Sequence, residues 1–497
     1  MEYLLNHEEM AACDRATSDN MGIPSIVLME RAALSIRDVV RERYPLAHRI
    51  LAVCGSGNNG GDGFAAARLL HLDGLKADVL FVGNHAHMTE QTAAEAKIFS
   101  NYGGITLPDD SPVTGYDLII DALFGNGLHR EIIGRYADIV NAVNRSRTKV
   151  LSVDIPSGIS ADDGQIKGTA IRADCTVTFA FRKLGQLLYP GCEYCGKLYL
   201  KDVGINGYGI HDEPVYTISD KDLRDLLPRR HPDANKGTYG KLLLIAGKEN
   251  MAGAALMSGR AACRSGCGLV CVFSHDKNRS VIQNSLPEAI FAPWWNDIQT
   301  WLEWADAVAI GPGLGTSYQS RQILTYVLRN CSGPIVIDAD ALNLMASNPE
   351  IRPEGSIPAV ITPHPGEMAR LLNGAGSPDN YTAGDVASSP IEIARQYADA
   401  AKCVTVLKGA RTVVTDGQDT MLSLTGNEGM ATGGSGDVLT GIIGSLLAQG
   451  MSPLDAARSG VVIHGMAGDA AAQKLGSRSL LATDIISFLP QVFLQLS

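Results

Sequence analysis

The sequence predicts an α/β protein made of two domains. Its 497 residues exceed the roughly 100–200 residues that are typical of one domain. Short apolar runs alternate with helical patterns in both halves, which indicates mostly parallel sheets covered by helices. Between residues 205 and 235 the sequence becomes rich in glycine, proline and charge, and the alternation then restarts. We therefore place the two domains at residues 1–215 and 225–497.

In the first domain, the apolar runs predict six strands, and two helical patterns lie between them. The strands are expected at 50–54, 77–82, 117–121, 150–154, 176–181 and 198–200, with one helix ending at 72 and another at 89–100. In the second domain, strands are expected at 242–246, 269–273, 307–310, 335–338, 360–362 and 403–407. A helix of small residues is expected from about 252, and a long helix from near 436.

Composition excludes several classes of protein. The net charge of −11 argues against a nucleic-acid binder, which needs basic patches to meet phosphates. No apolar run approaches the roughly 18 residues of a membrane span, and the acidic start MEYLLNHEEM is unlike a secretory signal. Ten cysteines without an export signal are typical of reduced thiols in a cytosolic protein. We expect a cytoplasmic protein with small-molecule partners, no nucleic acid and no membrane.

The run CGSGNNGGDGF at 54–64 follows a predicted strand and opens a helix. Gly55, Gly57 and Gly60 match the GxGxxG pattern, which predicts a phosphate contact at the helix start. The second strand ends in FVGNHAH, without the acid that a standard dinucleotide-binding dehydrogenase uses for the ribose. The additional amides of Asn58 and Asn59 offer oxygens that suit a hard cation or a substrate amide.

Two more strand ends carry polar groups, in DALFGNGLHRE at 121–131 and VDIPSGI at 153–159. Ligands of open α/β sheets bind beyond the carboxyl ends of the strands. Asn59, Asp121, Asp154 and Ser157 are therefore expected to converge. The alternative is that these residues only cap helices and form turns.

Taken in order, GNNGGDG, DALFGNGL and VDIPSG resemble the NAD(P)H-hydrate epimerase family over residues 1–215. The resemblance implies a Rossmann-like three-layer α/β sandwich, K⁺ bound by Asn59, Asp121 and Ser157, and Asp154 at the nicotinamide end. Because inversion of C6 needs proton transfer, Asp154 is the candidate acid–base residue. The hydrated dinucleotide is then expected to be lined by Asn58, Asn59, Gly60, Gly61, Asp62, Gly125, Asn126, Gly127, Leu128, His129, Arg130, Glu131 and Asp154.

The second domain has its own glycine-rich helix start, in GNEGMATGGSGDVLTG from residue 426. Gly433, Gly434 and Gly436 would expose amides to an anion, and Asp437 would stand in the first helical turn. This arrangement suits phosphoryl transfer to an alcohol, with Asp437 as the base. The chain has no GxxxxGK[ST] motif, so it is not a P-loop enzyme. The alternative is a site of tight helix packing.

The GGSGD run resembles the GxGD signature of the ribokinase-like superfamily. With KGTYGKLLLIAG from Lys236, IGPGLG, TPHPGE and LKGART, residues 225–497 resemble the ADP-dependent NAD(P)H-hydrate dehydratases. The resemblance implies a ribokinase-like sandwich in which Ala254, Gly315, His364 and Asp437 contact the hydrated cofactor. It also implies ADP binding by Lys408, Gly409, Ala410, Arg411, Thr412 and Gly436. Glu367 is a candidate Mg²⁺ ligand, directly or through water. Taken alone, His364 between two prolines could be only a rigid loop residue.

These resemblances predict a bifunctional repair enzyme. One half would interconvert R- and S-NAD(P)HX, and the other would dehydrate the S form with ADP, giving NAD(P)H, AMP and phosphate. By resemblance we also expect a homo-oligomer. One alternative is a ribokinase-like small-molecule kinase with a non-catalytic dinucleotide-binding module. Another is that the first half is only a dinucleotide sensor.

Overall fold

A computed structural model describes residues 1–210, 214–353, 357–376 and 380–497. The chain forms two compact units, one of Tyr3–Pro214 and one of Val215–Ser497 together with Met1–Glu2. Residues 211–213, within the predicted boundary region, lie outside the described residues. The two-domain α/β fold class predicted from the sequence is confirmed.

The strands and helices of the N-terminal unit alternate along the chain. The strands are β1 Glu2–Leu5, β2 Arg49–Cys54, β3 Lys76–Phe81, β4 Ile105–Leu107, β5 Leu118–Ala122, β6 Lys149–Val153, β7 Cys175–Phe179, β8 Arg182–Lys183 and β9 Lys197–Lys201. The helices are α1 His7–Arg15, α2 Ser25–Arg43, α3 Asn58–Leu72, α4 Glu90–Asn101 and α5 Gly134–Ser146. A π-helical segment, Ala16–Asn20, continues α1.

The main sheet of this unit is parallel, in the order β4-β3-β2-β5-β6-β7-β9. Within this sheet the chain first forms β2 and then adds β3 and β4 toward one edge. It next forms β5 on the other side of β2. The carboxyl ends of β2 and β5 therefore form the point at which strand order reverses, where open α/β sheets bind ligands.

Helices cover both faces of this sheet, and the alternation of side chains along β2 shows why. Ile50 and Ala52 pack on one face with residues of α2 and α3. Leu51 and Val53 pack on the other face with residues of α5. Because successive strand residues point to opposite faces, a strand buried on both sides has to be apolar throughout. The unit is a three-layer sandwich.

The C-terminal unit repeats this architecture with more elements. Its strands are β10 Val215–Thr217, β11 Lys241–Ile245, β12 Leu269–Ser274, β13 Ile290–Pro293, β14 Ala307–Ile310, β15 Ile335–Ile337, β16 Ala359–Ile361, β17 Val404–Leu407, β18 Val413–Thr415 and β19 Thr420–Leu422. Its helices are α6 Asp220–Leu226, α7 Ala252–Arg264, α8 Arg279–Ser285, α9 Ile298–Trp304, α10 Tyr318–Asn330, α11 Asp340–Ser347, α12 Pro365–Gly374, α13 Ala383–Ser388, α14 Pro390–Ala401, α15 Ser435–Ala448, α16 Pro453–Leu475 and α17 Ala482–Gln495.

The strands of this unit follow the order β13-β12-β11-β14-β15-β16-β17-β18-β19-β10. From β13 to β17 all pairs are parallel, whereas β17, β18 and β19 pair antiparallel. Leu242 and Leu244 of β11 belong to the core cluster that includes residues of α7, α15, α16 and α17. Leu243 and Ile245 belong to the opposite cluster, which includes residues of α10 and α11. Strand order reverses between β11 and β14, which again predicts a ligand site at the carboxyl ends of the parallel strands.

The strands that the sequence did not predict are all short. β1, β4, β8, β10, β13, β18 and β19 have four residues or fewer. Strands as short as these were predicted only where the run is apolar or nearly so, as in β14 to β17. All the predicted strands are present, with ends shifted by at most two residues. Among the described residues, no helix has the length and apolar character needed to cross a membrane.

Close backbone packing at the turn between β2 and α3 gives the first testable prediction. A Cβ added to Gly60 would lie 1.9 Å from the carbonyl oxygen of Gly55, whereas one added to Gly57 would meet nothing within 4 Å. Gly60→Ala should therefore lower the free energy of unfolding of the N-terminal unit by ~1–3 kcal/mol or more, the usual cost of overpacking. Calorimetry of the full chain measures this loss, with Gly57→Ala as the matched control. Equal effects of the two substitutions would contradict the packing argument.

Candidate active sites

The N-terminal unit contains a cavity of about 1000 Å³ beyond the carboxyl ends of β2, β5 and β6. This is the position that the sequence predicted. The predicted dinucleotide contacts that line it are Asn58, Asn59, Asp62, Gly125, Asn126, Gly127, Leu128, His129, Arg130 and Asp154. Gly60 and Gly61 lie behind this surface, packed on the backbone of Gly55 and on Met29, and Glu131 is exposed outside the cavity lining.

Asp154 follows β6 in a left-handed backbone conformation, with φ of 64°. Residues with a Cβ adopt this conformation at some cost, and such residues cluster at functional sites. Its side chain is held by Lys183, a fully buried residue whose ammonium donates to Asp154 Oδ1. The same ammonium donates to Thr178 Oγ1 at 2.9 Å and to the carbonyl of Phe179 at 3.2 Å. Asp154 is thus rigidly placed and paired with a cation on one oxygen.

Asp121 stands at the end of β5 and is buried among hydroxyl groups. Ser157 Oγ donates to its Oδ1 at 2.5 Å, while Ser152 Oγ at 2.8 Å and the Ser157 amide at 2.9 Å donate to Oδ2. Burial raises the pKa of Asp121, and these hydrogen bonds oppose the rise. Ser157 Oγ also accepts from the amide of Phe124 at 2.9 Å and lies 3.2 Å from its carbonyl oxygen. Oxygen atoms from a carboxylate, a hydroxyl and a carbonyl therefore meet at this point.

Asn59, the third predicted cation ligand, lies beside the loop that follows β5. A Cβ on Gly125 would come within 3.3 Å of the Asn59 amide group. The Asn59 amide nitrogen is buried and has no hydrogen-bond partner among the described residues. A buried polar group without a partner is costly, so this amide is available to a ligand or to an ion held by its oxygen.

Sequence reasoning missed four charged residues of this cavity, Lys183, Asp14, Arg15 and Asp19, of which Lys183 and Asp14 are the most buried. Lys183 belongs to the two-residue strand β8, and no sequence motif includes it. Asp14 lies near the end of α1, before the π-helical segment. Burial raises the pKa of Asp14 to about 6, with Lys183 lowering it and Asp154 raising it. Burial and the charges of Asp154 and Asp14 also raise the pKa of Asp62 well above its usual range.

The C-terminal unit places the start of α15 at Ser435, after Gly433 and Gly434. Gly434 has φ of 93°, and a Cβ on Gly433 would meet nothing within 4 Å, so the backbone before this helix is open to a ligand. Asp437 lies in the first turn, as predicted. Burial and the charge of Asp338 raise the pKa of Asp437 to about 7, against the lowering effect of Lys408.

Lys408 follows β17 and lies among carboxylates. Its ammonium is 2.8 Å from Asp338 Oδ1 and 3.8 Å from Glu367 Oε2, and Thr440 Oγ1 donates to the other Asp338 oxygen at 2.7 Å. Burial disfavours the charge of Lys408, but the charges of Asp338 and Glu367 outweigh it and raise its pKa. Sequence reasoning missed Asp338, although it ends a predicted strand, the position where sites form in such sheets.

His364 is the N-cap of α12. Its Nδ1 accepts from the amide of Gly366 at 3.1 Å, and its own amide donates to Glu367 at 2.8 Å. Burial and the charge of Lys408 lower the pKa of His364, whereas burial raises that of Glu367. His364 is therefore a neutral, oriented imidazole close to the carboxylates.

The other predicted contacts occupy neighbouring loops. The amide of Gly315 donates to Asp340 at 2.7 Å, and a Cβ on Gly313 would touch Ala254 at 3.0 Å. Gly409 and Thr412 form the exposed turn between β17 and β18, with 3.3 Å between the Gly409 amide and the Thr412 hydroxyl. A Cβ on Gly436 would lie 3.4 Å from the Lys408 ammonium. The turn 408–412 thus meets the start of α15 through Lys408.

Two family models match this chain. Residues 25–185 match the YjeF-related protein N-terminus, and residues 242–491 match NAD(P)H-hydrate dehydratase. The bifunctional NAD(P)H-hydrate repair enzyme Nnr of Moorella thermoacetica is 36% identical, with 99% of this chain and 96% of the relative covered. The protein of the same name from Escherichia coli is 38% identical, with 96% and 92% covered.

The C-terminal unit is also similar to solved structures. The ADP/ATP-dependent NAD(P)H-hydrate dehydratase of Bacillus subtilis, crystallised with ATP and Mg²⁺, superposes with a TM-score of 0.51 at 32% identity, covering 57% of this chain and 99% of that one. A ribokinase-like superfamily protein of Enterococcus faecalis gives 0.52 at 28% identity, covering 57% and 96%. The predicted ribokinase-like fold of this unit is confirmed.

The raised pKa of Asp437 predicts how stability depends on pH. The folded state holds this proton up to about pH 7, whereas an unfolded aspartate loses it near pH ~4. The neutral Asp437 carboxyl therefore contributes fully to the free energy of unfolding below pH ~4, and this contribution is lost as pH rises to about 7. Asp437→Asn should therefore raise the free energy of unfolding of the C-terminal unit relative to wild type at pH 8, and by much less near pH 4.

Denaturant titrations at the two pH values measure this difference, with Asp399→Asn as the control. Asp399 is an exposed carboxylate with 71% of its side chain accessible. A difference between Asp437→Asn and wild type that did not change with pH would show that Asp437 titrates normally.

Proposed function

The chain belongs to the family of bifunctional NAD(P)H-hydrate repair enzymes, and we propose from this premise how its two sites divide the work. The N-terminal site, within residues 1–215, interconverts R- and S-NAD(P)HX. The C-terminal site, within residues 225–497, dehydrates the S form at the expense of ADP and returns NAD(P)H, AMP and phosphate. Each proposed site has an aspartate close to a glycine-rich helix start at the carboxyl ends of parallel strands. This shared arrangement is the observation that carries the proposal.

In the N-terminal site, the glycine loop before α3 and residues 125–131 hold the dinucleotide, and Asp154 faces the hydrated ring. A helix start is a favourable place for the pyrophosphate, because its amides lack partners within the helix. The Lys183 ammonium donates to Oδ1 of Asp154, and Oδ2 accepts no hydrogen bond from the described residues. That free oxygen is the group that accepts a proton from, or returns one to, the oxygen carried by C6.

We place K⁺ at the oxygen atoms of Asn59, Asp121 and Ser157. The residues fit a weakly charged, oxygen-preferring cation, because the group has one carboxylate, one hydroxyl and an amide whose nitrogen lacks a partner. When bound, the cation supplies positive charge that keeps the buried Asp121 ionised. Asp121 and Ser157 in turn fix the loop after β5, through the hydrogen bonds to Phe124.

In the C-terminal site, Lys408, Gly409–Thr412 and Gly436 hold the ADP, and Ala254, Gly315 and His364 hold the hydrated cofactor. Asp437 takes the proton from the 6-hydroxyl as that oxygen attacks the terminal phosphate, which leaves AMP. The electron pair of the ring nitrogen then expels inorganic phosphate and forms C6=N1, and loss of a proton from C5 to water forms the C5=C6 bond of NAD(P)H and returns the electron pair to N1. Mg²⁺ is commonly held by one or two carboxylates together with substrate phosphates, which suits Glu367 beside Asp338.

A small-molecule kinase would use the same fold but release a stable phosphate ester. The full-length similarity to repair enzymes at 36–38% identity favours repair, and product analysis separates the two activities. All ten cysteines are free thiols, which supports a cytoplasmic location. We also propose a homo-oligomer, which light scattering of the purified chain tests.

The first functional prediction separates the two activities by substitution. Asp154→Asn should lower the rate of R-to-S conversion by ~10²–10⁴-fold, the usual contribution of an acid–base group, and leave dehydration of S-NADPHX unchanged. Asp437→Ala should abolish the ADP-dependent return of NADPH absorbance while epimerisation continues. Chiral chromatography follows the first reaction and absorbance the second. Loss of both activities in either variant would contradict two independent sites.

The second prediction concerns the monovalent cation. Epimerisation should be faster in KCl than in tetramethylammonium chloride of equal ionic strength, because Asp121 needs a small counter-cation. Ser157→Ala should weaken this dependence, measured as the K⁺ concentration for half-maximal rate, while Ser146→Ala on α5 should not. An epimerase rate that is the same in both salts would remove K⁺ from the proposal.

A further inference from the structure

The N-terminal cavity holds more acids than its single buried lysine can balance. Asp14, Asp62 and Asp154 all line it, together with Lys183. Other charged or titratable groups along the cavity are Arg15, Asp19, His87, His129 and Arg130. Like charges that share a partly desolvated space do not all ionise. At least one of the three carboxyl groups therefore keeps its proton near neutral pH.

Hydrogen bonding separates Asp154 from the other two carboxyl groups, because Asp154 is committed to Lys183 through Oδ1. Asp62, in the first turns of α3, and Asp14 have no such partner among the described residues. The pKa of Asp62 is raised well above its usual range, whereas that of Asp14 is raised to about 6, so Asp14 is the one of the two that can both give and take a proton near neutral pH. The carboxyl group of Asp14 makes no hydrogen bond or ion pair with any residue between 1 and 210 or in the other described ranges, although it interacts electrostatically with Lys183 and Asp154. It is therefore a free carboxyl group close to a paired one.

The backbone around Asp14 is also unusual. α1 ends at Arg15 and the chain continues as the π-helical segment Ala16–Asn20, of which Ser18 and Asp19 line the cavity. Single π-helical turns inside helices occur frequently at functional sites. The segment precedes residue 25, where the match to the N-terminal family model begins. Its place in the cavity is thus visible only in the structure.

We propose that Asp14 is the second acid–base group of the N-terminal site and gives the proton that lets the 6-hydroxyl of the bound hydrate leave as water. This inference rests on the epimerase activity proposed above. Asp154 is the complementary group, which accepts a proton from the water that adds to the opposite face of the ring. Inversion at a carbon that carries a hydroxyl requires both transfers, so one acid–base residue alone leaves the reaction incomplete.

The step balances without an oxidant or reductant. The proton of Asp14 goes to the 6-hydroxyl oxygen, the C6–O bond breaks, and the electron pair of N1 forms C6=N1. A solvent water then forms a new C6–O bond on the other face, its proton goes to Asp154, and the electron pair returns to N1. One water leaves and one enters. Transfer of a proton from Asp154 through water to Asp14 resets the site, and the reverse reaction uses the two groups in exchanged roles.

The test is Asp14→Asn in the full-length chain, with separated R-NADPHX and without ADP so that dehydration cannot occur. The R-to-S kcat should fall by ~10²-fold or more, while KM changes little because the variant stays isosteric. In wild type, kcat/KM should fall as pH rises above about 6, because Asp14 must carry its proton. This decrease of kcat/KM with rising pH should be absent in Asp14→Asn. It should be present in Asp14→Glu, which should keep partial activity.

Glu8→Gln is the matched control, an exposed carboxylate on the same helix that should keep the wild-type rate and pH profile. Dehydration of S-NADPHX by the same Asp14→Asn preparation, with ADP and Mg²⁺ added, and an unchanged unfolding midpoint show that the variant is folded. The role of Asp14 would be overturned if Asp14→Asn kept a normal kcat and the decrease of kcat/KM above about pH 6, or if it raised KM alone. A wild-type chain that does not interconvert the epimers would instead overturn the epimerase activity.

Discussion

Each unit of this protein keeps a buried lysine ammonium against an aspartate at the carboxyl ends of its parallel strands. In one unit Lys183 pairs with Asp154, and in the other Lys408 pairs with Asp338. A buried charge is tolerated only when it is paired and hydrogen-bonded, and both lysines meet this condition. Each ion pair places one positive and one negative charge beside the neighbouring acids. Asp14 and Asp437 are those neighbours. Burial is the largest cause of their raised pKa values, the aspartate of each pair adds to the rise, and the lysine opposes it.

The loops around these sites need glycine at positions where two backbone segments approach too closely for a Cβ. A Cβ on Gly55 would lie 2.0 Å from the carbonyl oxygen of Leu123, and one on Gly311 would lie 1.8 Å from that of Asp338. Glycine at these positions lets the loop after one strand touch the loop after the next. The polar residues from separate strands, such as Asp121 and Ser157, then come within hydrogen-bonding distance.

These physical features explain which site residues could be predicted from the sequence and which could not. Asp154 and Asp437 could be proposed because Asp154 directly follows an apolar run and Asp437 directly follows a glycine-rich loop, and the chemistry of strand ends and helix starts is local. Lys183 could not be found, because β8 has two residues and the ion pair with Asp154 spans 29 positions. Asp14 belongs to a helix whose contact with the cavity depends on tertiary packing. The motif also predicted ligand contact for Gly60 and Gly61, which stays a prediction; the structure shows in addition that both are closely packed, because an added Cβ would meet Gly55 or Met29.

The two sites need opposite protonation states of their raised-pKa acids, and this sets a common pH range for the repair cycle. In the proposed mechanism, Asp14 gives a proton and is in its working form below about pH 6, whereas Asp437 takes one and is in its working form above about pH 7. Between these values, each residue is partly in its working form. Because burial is the largest cause of both shifts, a change that exposes either carboxyl to water lowers its pKa. Such a change increases the ionised fraction of Asp437 but removes the proton that Asp14 has to supply, so the proposed role of Asp14 depends more strongly on its burial.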